Sequence, residues 1–155
     1  MGNSLTDDLI TYKKGTVLFV EGEPSNFLYL IKSGQVKVFK EEKTGLFPIS
    51  ISEDQEFVGE ETLFSDEARP NTAIATEDTE VFVFKKSEIR KVVKSCPEWI
   101  DEIMETICER LKHAQEMMAE HSIISEEVES DFQASQGEVK TYRDAISKYR
   151  KGRGL

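Results

Sequence analysis

Between residues 12 and 86 the chain is a succession of short runs rich in Val, Ile and Phe, cut by residues that turn the backbone. Such spacing leaves no length for crossover helices, so the strands must pair antiparallel in a sandwich or barrel. The runs are 16–20, 27–32, 35–40, 47–52, 72–76 and 79–85, with Gly15, Gly22, Pro24, Gly34, Gly45 and Asp54 in the breaks. Those residue types favour turns and weaken strand interiors. Within the runs Val36, Val38 and Lys40 fall on one parity. Phe82 and Phe84 likewise share one face of their strand.

Beyond residue 86 the period becomes helical. Ser87 is placed to cap a helix over 88–94, which must stop before Pro97. Pro97 then opens a second helix, and Glu98, Asp101 and Glu102 oppose its positive dipole end. Ile100, Met104, Ile107, Leu111, Ala114, Met118, His121, Ser125, Val128 and Phe132 follow at alternating spacings of 4 and 3. This is a heptad seam, weaker at His121 and Ser125. A helix of about 30 residues reaches roughly 45 Å, farther than a small β domain can cover. The expectation is therefore one long helix over 96–132 that pairs with a parallel copy of itself. The homodimer contact would run through Ile100, Met104, Ile107, Leu111, Ala114 and Met118. After a linker at 133–137, residues 138–155 hold six bases against two acids. The segment 133–155 reads as a basic, flexible tail, either simply solvated or docking an acidic partner.

Charge and composition exclude several functions. Thirty acids against twenty bases give a net charge of −10, which opposes binding to nucleic acid. The longest apolar runs, such as 27–31, fall far short of the roughly 20 residues that span a bilayer. Residues 1–9 carry acids and no bases, unlike a signal or transit peptide. Cys96 and Cys108, without a second pair, read as reduced thiols of a cytoplasmic protein, with no disulfide or metal site. His113 and His121 are the only histidines, and no nucleophile motif or P-loop accompanies them. The chain reads as a non-enzyme.

One constellation carries possible chemistry: Gly59, Glu60, Glu61 and Thr62, followed by Arg69, Pro70 and Asn71. A glycine permits close backbone approach, N–H groups of a short helical turn can face an anion, and arginine adds a rigid donor fork. The Glu60 carboxylate can accept hydrogen bonds from sugar hydroxyls. Equally, Arg69 can be an ion-pair partner of Glu60 or Glu67.

The opening 15–38, with Gly15, Phe19, Gly22, Tyr29, Ile31, Gly34 and Val38 in order, resembles cyclic-nucleotide-binding domains. These occur in catabolite activators, kinase regulatory subunits and gated channels. Residues 57–69, continuing to Ala75 and Val81, look like that family's phosphate-binding cassette. The resemblance implies a β-roll over 1–95, a jelly-roll-like barrel that is mainly β with helices, closed by the long C-terminal dimerisation helix. It implies a ligand, cAMP by family frequency or else cGMP, and no cofactor. Glu60 would take the ribose hydroxyl and Arg69 the phosphate, with backbone N–H groups near Gly59 and Glu61 completing the cradle. Gln115 would lie over the base, where an amide can both donate and accept. Four residues depart from the family pattern. Pro70 has no N–H to give, Asn71 replaces a small residue, Glu61 replaces an aliphatic one, and Gln55 stands in place of a glycine. Two functions follow: a sensor signalling to a downstream protein, or a dimeric scaffold that has lost the ligand. A DNA-binding segment is not expected after the seam, unless the sequence is a regulatory fragment of a longer protein.

Overall fold

All six apolar runs are strands in the computed structural model, which describes residues 8–155; residues 1–7 of the acidic opening lie outside the described residues. They are β2 (Val17–Phe19), β3 (Phe27–Ser33), β4 (Val36–Glu41), β5 (Leu46–Ser52), β7 (Thr72–Ala75) and β8 (Thr79–Lys85). Two more join them, β1 (Asp8–Tyr12) and the two-residue β6 (Phe57–Val58). All pairings are antiparallel, in one sheet of order β1-β8-β3-β6 and another of order β2-β7-β4-β5. The expected β-roll with C-terminal helices is the observed architecture.

Side-chain parity builds the core. Ala73 and Ala75 of β7 join Val36, Val38, Phe47, Ile49, Tyr29, Ile31 and Val81 in the roll's main cluster. Ile74, between the two alanines, turns to the opposite face of its sheet and packs with Val17, Val20, Phe39 and Leu46. The β4–β5 register shifts between Val38 and Phe39, which lets neighbouring residues serve opposite faces.

The helical half differs from the sequence expectation in three ways. Helix α1 spans Lys86–Lys94, so Ser87 lies inside it and Lys85 is the cap position without a side-chain cap bond. Helix α2 spans Glu98–Glu120 and stops there, correcting the single helix expected over 96–132. Ser122 takes φ +53, ending the helix and turning Ile124 back against the main core. The Ser125 hydroxyl then accepts a hydrogen bond from the Val128 N–H and opens α3, Glu126–Ala134.

The third correction is the tail. Residues expected to form a flexible linker and basic tail are a 3-10 turn at Gln136–Glu138 and helix α4, Val139–Arg153. Tyr142 and Ile146 are buried against Val17, Phe39, Leu46 and Ile74, with Phe132 of α3 beside them. Val139, Tyr142, Ile146 and Tyr149 recur at helical spacing, and the outer face of β2-β7-β4-β5 supplies the apolar partner that makes the helix stable. Polar contacts tie α3 and α4 down, including the ion pairs Lys37–Asp131, Lys14–Glu138 and Arg150–Glu41.

The proposed seam residues are divided between two faces of α2. Met104 packs toward the roll with Leu28, Leu63 and Cys108, whereas Ile107 is exposed. Leu111 and Met118 are half-buried and Ala114 is exposed. Trp99, Ile103, Ile107 and Met117 make up the large apolar residues that α2 presents to solvent.

Candidate functional site

Residues 59–71 form a loop whose backbone is shaped by Gly59. Its φ of +88 is a conformation that L side chains rarely adopt, and it starts the 3-10 turn Glu60–Thr62. A Cβ at this position would lie 2.4 Å from Arg69 Nη1, so glycine is required by space as well as by backbone angle.

Arg69 is buried and enclosed on several sides. Its Nη2 donates to the Phe27 carbonyl at 2.6 Å, and Nη1 donates to the Gly59 carbonyl at 3.4 Å. The guanidinium lies 4.0 Å from the centre of the Phe19 ring, a cation–π contact. Its Nε is enclosed without a hydrogen-bond partner, as is Oε2 of Glu23 nearby. Neither Glu60 nor Glu67 is its ion-pair partner: Glu67 pairs with Lys112, and Arg69 makes no ion pair among the described residues. The fork is thus held in place by neutral groups, with donor capacity to spare for an anion. A cavity of about 500 Å³ adjoins Arg69 on the side lined by Tyr12, Glu23, Tyr29 and Tyr149.

The carboxylates of the 3-10 turn, Glu60 and Glu61, sit in low-dielectric surroundings. Burial, helped by Glu61 and Glu56, pushes the Glu60 carboxyl up to about 7 against a weaker opposing bond from its own backbone N–H. Burial also raises Glu61, although the charges of Arg69 and Lys86 pull the other way. Burial, with Arg90 and Arg69 as like charges, pushes the Lys86 ammonium down to about 8. The half-buried Glu60 carboxyl is suited to hydroxyl groups of a ligand, and the buried Arg69 guanidinium to its phosphate.

The other candidates have more local duties. Thr62 is fully buried and its hydroxyl shares a 2.5 Å hydrogen bond with that of Ser25. The Pro70 carbonyl accepts from Lys40 Nζ at 2.8 Å. Asn71 Nδ2 donates to Gln115 Oε1 at 2.8 Å, so Gln115 reaches the loop through Asn71. With Lys112–Glu67 this makes two polar ties from α2 to the loop. Sequence reasoning missed Lys86 and Arg90. Lys86 Nζ donates to the Ser65 carbonyl, and Arg90 donates to the carbonyls of Leu63 and Ser65. These are backbone acceptors, which leave no residue-type signature.

Comparison with known proteins points the same way as the geometry. A family model described as cyclic nucleotide-binding domain matches residues 9–96. The chain is 32% identical over 74 residues to the cAMP-dependent protein kinase regulatory subunit of Aspergillus fumigatus, covering 48% of this chain and 17% of that one. It is 26% identical over 108 residues to the cyclic AMP receptor protein of Thermus thermophilus, covering 66% and 48%. The crystal structure of the Thermus thermophilus catabolite activator protein shares the fold, with a TM-score of 0.61 at 24% identity, over 77% of this chain and 56% of that one. The chain spans less than half the length of these two curated relatives. Among the described residues no helix is long and apolar enough to cross a membrane, and no cluster of side chains is arranged to hold a metal ion.

Proposed function

Because the chain belongs to the cyclic nucleotide-binding domain family, we propose that it is a non-catalytic sensor that binds a cyclic nucleotide at Gly59–Asn71. The observation that carries this reading is Arg69: buried, stacked on Phe19, in no ion pair among the described residues, and beside a glycine that admits no side chain. Arg69 binds the cyclic phosphate and Glu60 accepts from the ribose hydroxyl. Backbone N–H groups near Gly59 and Glu61 complete the cradle. Gln115 of α2, held by Asn71 of the loop, closes over the base. The ligand is cAMP in preference to cGMP, a choice supported by the cAMP in both relatives' names.

The protein works in the cytoplasm, a reducing compartment in keeping with two free cysteines. It pairs through the exposed apolar face of α2, where Trp99, Ile103, Ile107 and Met117 lie at helical spacing, and light scattering at micromolar concentration should show a dimer. Its effect on a downstream protein comes from the helices that touch the loop. A scaffold without ligand is the second reading. The missing N–H of Pro70 favours it, since a charged group deprived of one donor loses about 1.5–3 kcal/mol. Thermal melting with cAMP, cGMP and linear AMP separates the two. The sensor predicts a rise in melting temperature with a cyclic nucleotide and none with AMP, whereas no rise with either cyclic nucleotide at millimolar concentration leaves the scaffold.

A further inference from the structure

Helix α4 contributes Tyr149 and Arg153 to the cavity beside Arg69, and a continuous polar network also joins it to the end of the loop that holds Arg69. Arg150 Nη2 donates to Glu41 Oε1 at 2.8 Å and to the Glu21 carbonyl at 2.9 Å. The same Glu41 oxygen accepts from the Thr72 hydroxyl at 2.5 Å, and that hydroxyl accepts from the Glu21 N–H at 2.9 Å. Glu21 in turn accepts from the Glu41 N–H and pairs with Lys40, whose Nζ also holds the Pro70 carbonyl. Two carboxylates and two cations are thereby satisfied together around residues 70–72. A second route runs alongside: the Tyr149 hydroxyl reaches Glu23 Oε1 at 3.3 Å, and the Glu23 carbonyl accepts from the Arg69 N–H at 2.8 Å.

From this arrangement we infer that Arg150 is a positioning residue for the nucleotide loop, acting through Glu41 and Thr72. The inference rests on the binding function proposed above and adds an element to it. Pro70 lacks an N–H, so the loop is deprived of one backbone donor at the point where Arg69 must be aimed. The network restrains that point from outside, by the carbonyl of Pro70 and the hydroxyl of Thr72. Without Arg150, Glu41 loses its cation and Thr72 its fixed acceptor. The loop then samples orientations in which Arg69 no longer faces the phosphate, and affinity falls by the fraction of molecules misaligned. Linkage is reciprocal, so a bound nucleotide tightens the docking of α4 by the same factor. The two ties from α2, at Glu67 and Asn71, hold the other side of the same loop. The loop is gripped between two helices, and α4 reads its state independently of α2.

The test uses the full chain with Arg150→Ala, Arg150→Lys, Glu41→Gln and the double variant Arg150→Ala/Glu41→Gln, and Lys148→Ala as an exposed control on the same helix. Each single variant at Arg150→Ala or Glu41→Gln should weaken cAMP binding about tenfold. The double variant should lose no more than either one, Arg150→Lys should recover part, and Lys148→Ala should bind as wild type. Affinity of Arg150→Ala within twofold of wild type, or losses that multiply in the double variant, overturn the inference. A second readout needs no ligand: hydrogen exchange at the Glu21 amide, which donates to Thr72, should accelerate in both Arg150→Ala and Glu41→Gln. If Arg150→Ala releases α4 altogether, Glu41→Gln decides, and an unchanged Glu21 amide there overturns the inference. Wild-type protein that binds no cyclic nucleotide would refute the proposed function, while the Glu21 readout would still decide this one.

Discussion

Replacing Glu60 with glutamine should stabilise the unliganded protein at neutral and alkaline pH. The carboxyl of an unfolded chain titrates near 4.5, and burial in the roll pushes it up to about 7. A carboxyl whose folded value is raised contributes stability that is fully present below 4.5 and is lost as pH rises through 7. At about 1.4 kcal/mol per pH unit the whole shift amounts to about 3–4 kcal/mol, of which about 2–3 kcal/mol falls between pH 5 and pH 8. The site therefore carries a stability cost that only a ligand hydroxyl offsets. Glu61 shifts in the same direction and is one of the charges that raise Glu60, so the difference between wild type and variant reports the pair. Lys86, depressed to about 8, contributes between 8 and 10.5 and stays level below that range. Urea denaturation of wild type and Glu60→Gln at pH 5, 6, 7 and 8 is the assay. The variant should gain on wild type by about 2–3 kcal/mol between pH 5 and pH 8. A difference that does not change with pH, or one that shrinks, would refute the burial argument. The same titration predicts that cAMP binding strengthens from pH 6 to pH 8, because the ionised carboxylate is the better acceptor.

Three substitutions probe the surrounding structure. Gly59→Ala puts a Cβ 2.4 Å from Arg69 Nη1 on a backbone at φ +88, so equilibrium denaturation should show a loss of about 2–4 kcal/mol together with loss of cAMP binding. Gln55 holds φ +68 where a glycine is more at ease, and Gln55→Gly should raise stability by about 1 kcal/mol in the same assay. Ile146→Ala removes a buried anchor of α4 and should cost about 2–4 kcal/mol, with hydrogen exchange accelerated across Val139–Arg153.

The strands were legible because each is a local event. A run such as 79–85 sets its own parity, and the turn residues around it set its ends. β6 has no sequence signature because two residues, Phe57 and Val58, carry no period, and only their pairing with Leu30 and Tyr29 makes them a strand. β1 is similar, since Asp8–Tyr12 gains its identity from β8. The loop 59–71 was readable from residue types, whereas the contacts that aim Arg69 run to the Phe19 ring and to the Phe27 carbonyl, which no spacing records. The helical end misled for a physical reason. The heptad spacing through His121 and Ser125 is compatible with one straight helix, and it holds no term for the gain from burying Ile124 in the roll, which the turn at Ser122 allows. The six bases of the last segment are explicit in the sequence, whereas the partner of Tyr142 and Ile146 is a sheet surface built a hundred residues earlier in the chain.

The central claim is that Arg69, aimed by Gly59 and Phe19, binds the phosphate of a cyclic nucleotide. Calorimetric titration of cAMP into wild type and into Arg69→Ala tests it most directly. The account predicts one saturable site per chain in the wild type and a weakening of at least a hundredfold in the variant, as expected when a charge-assisted, bidentate contact is removed. Equal binding by the two proteins, or no heat from the wild type at millimolar cAMP, would contradict it.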